Sequence, residues 1–413
     1  MGSRLIAWVA LVLVNLFGGA AAHARMVVWA HGAWSWFGDP RAVYVQGVQD
    51  ATFVGWIDWS GHITIGEYDP DFGLMRAHIV GHEYHDDHSV PSILVEPNDD
   101  LTVFWSGHNG RKLDYRTTLH PEDIASWGAV GQIRSTIRGP NGFTYPNPII
   151  LRSEDNRLYL FWRAADYSQA FETRTASGRW SRAHLMISQP GQRPYVKYGS
   201  NGSDTIAMAF TNGHPRNTLT SIYFAEYRDG WLRGASGRLI KRMGTGAIRP
   251  DQGDVVYNAK ATGVSSWVWD VAIDRAGRPV IVYATFPTNA DHEYWYAQWT
   301  GHQWITHPMT FAGGSISPTT IEYEYSGGIT LDHSDPGIVY LSREAAGGWD
   351  IERWVTHDGG ETWSHRVVVP SDGLDNVRPV VPRGGGPIQV LFLRGDYRSY
   401  TTYRTSIAFL TGP

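Results

Sequence analysis

A strand-like apolar run recurs seven times along the chain, at residues 51–56, 101–105, 158–162, 205–210, 279–284, 337–341 and 388–393. Taking Phe53, Val103, Leu160, Ala207, Ile281, Val339 and Val390 as centres, the spacings are 50, 57, 47, 74, 58 and 51 residues. A period of this size accommodates a four-stranded sheet with its loops. The runs are β-branched, aromatic and nearly continuous in hydrophobicity, as expected of strands covered on both faces by stacked neighbours. The repeat therefore predicts an all-β chain, a seven-bladed β-propeller forming a single domain over residues 25–413. No Pro/Gly/Ser-rich or charged stretch separates two halves. The 74-residue interval leaves room for an extra hairpin or long loops in the fourth unit. With 413 residues, 42% of them hydrophobic, the chain can bury such a core although it has no Cys.

The N-terminus has a different character. Arg4 gives a positive start, residues 5–17 are apolar, and Ala22-His23-Ala24 is a small-x-small cleavage site, the pattern of a secretory signal. The apolar run is shorter than a bilayer span needs, which favours cleavage of residues 1–24 over the alternative of a retained anchor. A secreted or periplasmic protein, free of the membrane after cleavage, is expected. The formal charge of −5, from 35 Lys and Arg against 40 Asp and Glu, gives no basic field for a polyphosphate backbone, so nucleic acid is not an expected partner. Only 18% of residues are charged while 13% are aromatic, a balance that suits all-β carbohydrate-active proteins better than helical enzymes. A ring of blades closes its own sheet edges, so a monomer is expected.

Function on a propeller lies in the loops around the axis. Asp86-Asp87-His88-Ser89-Val90-Pro91 leads into the second blade, and Ser106-Gly107-His108-Asn109 leaves its next strand. With a turn at Asn98-Asp99-Asp100, a hairpin would bring His88 and His108, 20 residues apart, together at its open end. The third blade repeats the layout: Tyr145-Pro146 enters and Trp162-Arg163 leaves. The fourth offers Arg193-Pro194-Tyr195-Val196-Lys197-Tyr198 and then Asn212-Gly213-His214-Pro215-Arg216. One sector is thus rich in His, Tyr, Arg and Lys.

Glycoside hydrolysis usually needs two opposed carboxylates, which this sector does not emphasise. β-Elimination beside a 4-linked uronic acid fits better. It requires neutralising the carboxylate, removing the adjacent ring proton and protonating the departing oxygen. Arg serves the first need, and His or Tyr the others. A His with a reference pKa of about 6.5 works as a base near neutrality, whereas a Tyr at about 10 needs a nearby cation to ionise.

The strings at 34–41, 86–92, 106–108, 193–198 and 212–215 resemble the BNR-repeat-containing propeller family. That family includes ulvan lyases and rhamnosyl-glucuronate lyases, and the resemblance spans nearly all of the chain after the leader. It implies a secreted polysaccharide lyase acting on an acidic polysaccharide or oligosaccharide at glucuronate or iduronate linked to rhamnose. By motif match it points to His88, His108, Tyr145 and Arg163 as the catalytic set. Tyr195, Lys197, His214, Arg193 and Trp36 are the expected substrate-binding residues. The stretch Thr356-His357-Asp358-Gly359-Gly360-Glu361-Thr362-Trp363 resembles the Asp-box of the BNR repeat, whose role is structural.

Other readings compete. The same wider fold contains α-L-rhamnosidases, and a non-catalytic propeller binding acidic glycans is a third option. No cofactor is required, although His88 and His108 beside Asp86 and Asp87 also suit a structural zinc or calcium ion. Arg163 could simply bridge blades, Lys197 lie on a solvated face and His214 hold a turn. Asp39 and Arg41 are expected to form an axial pair. Trp36, Trp105 and Trp162 are stacking candidates, but aromatic residues at strand ends commonly serve the core.

Overall fold

The structure, a computed structural model, describes residues 24–317 and 322–412. The expected leader, apart from Ala24, lies outside the described residues. The remainder forms seven antiparallel sheets, each built from consecutive strands except the last. Blade 1 comprises Ala42–Gln46, Asp50–Ile57, His62–Asp69 and Leu74–His82, and blade 7 comprises Asn376–Val380, Ile388–Ser399 and Thr402–Thr411. Arg25–His31 completes blade 7 by pairing with Thr402–Thr411, Arg25 opposite Thr411. The ring is thereby latched by hydrogen bonds between the two ends of the propeller, and no edge is left at the join.

All seven sequence runs fall on the second strand of a blade. Burial explains their continuous hydrophobicity: every residue of Leu101–Trp105 and of Thr205–Thr211 is buried, because adjacent blades cover both faces. The long interval after the fourth run is filled as expected. Blade 4 adds Trp231–Arg233, Leu239–Arg242 and Asp254–Tyr257 to make six strands, followed by a short helix at Ala259–Thr262.

The Asp-box stretch makes the anticipated turn. Asp358 accepts from the Thr362 backbone N–H at 3.0 Å, Gly359 and Gly360 adopt φ of 77° and 95°, and the Trp363 indole donates to the Gly360 carbonyl at 3.0 Å. Trp363 packs on Trp354 of its own blade and on Tyr296 of the preceding one.

The first strand of each blade lies nearest the axis, and two of them are distorted in the same way. Tyr145-Pro146 in Thr144–Leu151 and Arg378-Pro379 in Asn376–Val380 each interrupt the ladder register. In both, the residue before proline takes a positive φ, 61° at Tyr145 and 54° at Arg378. Proline cannot donate to a ladder, so a bulge is the place where a strand tolerates it. Gly328 permits the close approach of blade 6 to this bulge: a Cβ there would lie 2.9 Å from Pro379 and 3.0 Å from the Arg378 Cα.

Candidate active site

A short 3₁₀ turn, Asp87–Ser89, delivers His88 to the axis just before the first strand of blade 2. Asp86 caps it, accepting from the His88 backbone N–H at 2.9 Å. The second strand returns His108 to the same place, and the two imidazoles stack with centroids 3.9 Å apart and planes within 5°. Their Nδ1 atoms engage the two oxygens of one carboxylate: His88 meets Asp86 Oδ1 at 2.7 Å and His108 meets Oδ2 at 2.9 Å. Both Nε2 atoms are left for the adjoining cavity of about 370 Å³, which both histidines line.

The two rings carry different charge. Burial opposes protonation of His88, but Asp86 and Asp87 outweigh it and push the imidazole up to about 9. His108, buried and facing a charged His88, falls to about 4. At neutral pH one ring is a cation and its neighbour a free base. Asp86 is held well below the usual carboxylate range despite burial, because both imidazoles face it.

Arg163 ends the second strand of blade 3, 2% exposed. It donates to the Tyr195 hydroxyl at 3.0 Å, and to Asn109 Oδ1 and Thr144 Oγ1, each at 3.3 Å. Its Nε has no partner. Tyr145 packs behind it, with the guanidinium 5.0 Å from the ring centre and the His88 ring centroid 5.3 Å away. Burial and the neighbouring Tyr195 keep the Tyr145 phenol well above its usual range, although Arg163 opposes them. The cation expected to ionise this tyrosine is therefore present but outweighed.

A profile of BNR repeat-containing family members matches residues 51–312. The chain belongs to this family. Two structures of an ulvan lyase of polysaccharide lyase family PL25 share 16% identity with this BNR-repeat protein. The one bound to -[GlcA(1-4)Rha3S]- superposes with a TM-score of 0.71, covering 94% of this chain and 96% of its own. The polysaccharide lyase Uly1, at 13% identity, gives a TM-score of 0.57 over 92% of each chain. These likenesses establish the shared fold. No curated protein matches the chain.

Within the BNR-repeat propeller, Tyr195, His214 and Arg193 line the histidine cavity together with Arg163. Arg193 lies 4.5 Å from the centre of the Tyr167 ring. His214 also serves its turn: Nδ1 accepts from the Arg216 backbone N–H at 3.1 Å, while Nε2 lies 3.4 Å from Glu322.

Lys197 and Trp36 are not cavity residues, a correction to the sequence expectation, and Tyr145 stands behind His88 and Arg163 and not among the lining side chains. Lys197 is buried against Asp39 and the Trp36 carbonyl. Trp36 is itself enclosed, stacking on Trp269 at 4.6 Å and donating to the Val268 carbonyl at 3.3 Å. Asp39 therefore pairs with Lys197 and not with Arg41, whose guanidinium serves the carbonyls of Pro91, Ser35, Phe37 and Gly38. Trp105 and Trp162 are core residues, 2% and 1% exposed.

The sequence reading missed the support supplied by blade 7. Arg378, 1% exposed, pairs with Asp87 and donates to the Tyr397 hydroxyl at 2.7 Å, and Tyr397 in turn donates to Asp87 at 2.6 Å. Asp87 Oδ1 lies 3.0 Å from His88 Nδ1. Tyr400 stands edge-on to both histidines, at 4.9 and 5.7 Å. One signal was readable: Arg378-Pro379 repeats the Tyr145-Pro146 pattern at the start of a blade.

The trio Asp86, His88 and His108 also has ligand atoms within 4.8 Å of one another, a donor set that zinc accepts. An ion there would compete with the Nδ1 contacts to Asp86 that organise the stack.

Proposed function

We propose that this protein is a polysaccharide lyase that cleaves by β-elimination at a 4-linked glucuronate or iduronate, with rhamnose as the neighbouring sugar. The observation that carries this reading is the stacked His88–His108 pair, both Nδ1 atoms on Asp86 and both rings lining one cavity with Arg163, an arrangement that pushes His88 towards the cation and His108 towards the free base. His108 Nε2 takes the ring proton next to the carboxylate. Charged His88 and Arg163 neutralise that carboxylate and stabilise the negative charge that develops as the proton leaves. Tyr145, held protonated, supplies the proton to the departing glycosidic oxygen, and Tyr195 orients Arg163 by accepting its hydrogen bond. Electrons of the broken C–H bond form the C=C bond as the C–O bond opens, and no water is consumed.

The carboxylates support elimination over hydrolysis. Asp86 is shared by two imidazoles, Asp87 is held by Arg378 and Tyr397, and Glu322 contacts Arg216 and His214. A two-carboxylate glycosidase needs one acid kept protonated and another free to attack or activate water. Export to the periplasm or outside the cell, guided by residues 1–24, and action as a monomer belong to the same reading.

The test is ultraviolet absorbance of the purified protein with a panel of rhamnose- and uronate-containing polysaccharides. A rise from conjugated unsaturated uronate, abolished in His108→Ala, is expected. New reducing ends or free rhamnose without that absorbance would overturn the lyase reading in favour of hydrolysis.

A further inference from the structure

A second recess, of about 250 Å³, opens between blades 2 and 3 on the segments that leave the catalytic strands. Gly110 and Arg111 follow closely after His108, and Ala165 follows Arg163. Gly110 and Phe143 exchange backbone hydrogen bonds of 2.9 and 2.7 Å, which fasten the recess to the strand that carries Tyr145. Its side-chain lining includes Arg111, Arg138, Asn141 and Trp162, and no carboxylate. Arg111 and Arg138 are exposed, and neither makes a hydrogen bond or ion pair among the described residues. The Trp162 indole N–H and the Asn141 amide nitrogen are buried without an acceptor, Trp162 being 1% exposed.

Buried N–H groups are almost always paired, so two of them orphaned on side chains that line one recess call for an acceptor from outside the chain. Two unpaired guanidinium groups at the rim give that acceptor a negative charge, and their planar forks suit a carboxylate or a sulfate. We propose that this recess is an oxyanion subsite, which holds the carboxylate or sulfate of a sugar neighbouring the one cleaved. The identity of the sugar rests on the lyase reading; the binding of an oxyanion does not.

The experiment reads the Trp162 indole N–H resonance of ¹⁵N-labelled full-length protein, assigned by its loss in Trp162→Phe, during titration with sodium sulfate and separately with sodium glucuronate. The resonance is expected to shift with saturation, and the double variant Arg111→Ala/Arg138→Ala to weaken binding about tenfold or more. No shift with either anion, or a shift indifferent to the arginines, would overturn the subsite.

Turnover then separates the sources. Loss of the arginines should raise KM with kcat unchanged, on sulfated chains alone if sulfate is the ligand and equally on desulfated chains if it is a carboxylate. Sulfate binding without any unsaturated product would keep the oxyanion site and reject the lyase reading.

Discussion

Two buried charge clusters lie along the propeller axis, and each joins a histidine to an aspartate. In the upper one, His88 meets Asp86 and Asp87. In the lower one, His333 Nε2 lies 3.0 Å from Asp270, with Arg383 3.6 Å from the same oxygen. Burial disfavours the charged imidazole in both. Asp86 and Asp87 reverse that at His88, whereas at His333 burial, joined by Arg383, outweighs Asp270 and Asp39 and holds that ring below its usual range.

The lower cluster is also saturated. Asp270 accepts from Thr330 and the Leu331 backbone at 3.0 and 3.1 Å, and Lys197 is closed against Asp39. It borders the larger cavity, about 720 Å³, whose walls include Val43, Leu94, Ile149 and Tyr198. The smaller upper cavity keeps unspent groups, the two Nε2 atoms, the Arg163 Nε and Arg193, while Arg216 and His214 engage its lining carboxylate, Glu322. Cavity size is therefore a poor guide here. The proposed chemistry is placed at the cluster whose groups are left unpaired.

Substitutions can break this contrast. His108→Ala should lower kcat about a thousandfold by removing the base, while His333→Ala leaves kcat within about twofold and lowers Tm instead. Equal losses of turnover in both would erase the distinction. Arg163→Ala should cost about a hundredfold in kcat. Combining His88→Ala with His108→Ala should add little beyond the worse single variant, since the stacked pair acts as a unit.

The charge states sharpen it further. The profile of kcat/KM against pH should be a plateau with limbs at about 4, where His108 gains a proton, and about 9, where His88 loses one. Asp87→Asn removes one carboxylate facing His88, so the basic limb should move to lower pH; an unmoved limb would detach it from His88.

Folding stability follows the same signs. The His88 contribution is complete below its unfolded pKa of about 6.5 and is lost as pH rises through about 9. His108 acts oppositely, because its neutral form is favoured, and weakens the fold as pH falls from about 6.5 towards about 4. Urea unfolding at a series of pH values measures both slopes. The smallest effect on turnover belongs to Lys197→Met, less than about twofold, with a stability loss of about 3 kcal/mol from the buried Asp39 left unpaired.

The histidine pair was legible because both rings belong to one hairpin, where strand pairing decides what meets. Ser92 opposes Phe104 in the register, and the pair sits just beyond those ends. Tyr145 and Arg163 were legible for the same reason, since Thr144 opposes Arg163. Lys197 was misassigned although it lies two residues from Tyr195. Alternate residues of a strand share a face but are displaced along it by about 7 Å, which carries Tyr195 to the upper cavity and Lys197 to the lower cluster. Arg378 and Tyr397 lie 291 and 310 residues from Asp87, and only closure of the ring brings blade 7 to the segment that leads from blade 1 into blade 2.

The sequence by itself determined the seven-bladed architecture, because second strands buried on both faces must be apolar wherever they recur. It also determined that imidazoles, phenols and guanidinium groups gather at one end of the axis. Only the tertiary structure decided which imidazole carries the proton. That choice depends on burial and on the distances to Asp86, Asp87 and Arg378, and electrostatic energies follow separation in space rather than separation along the chain.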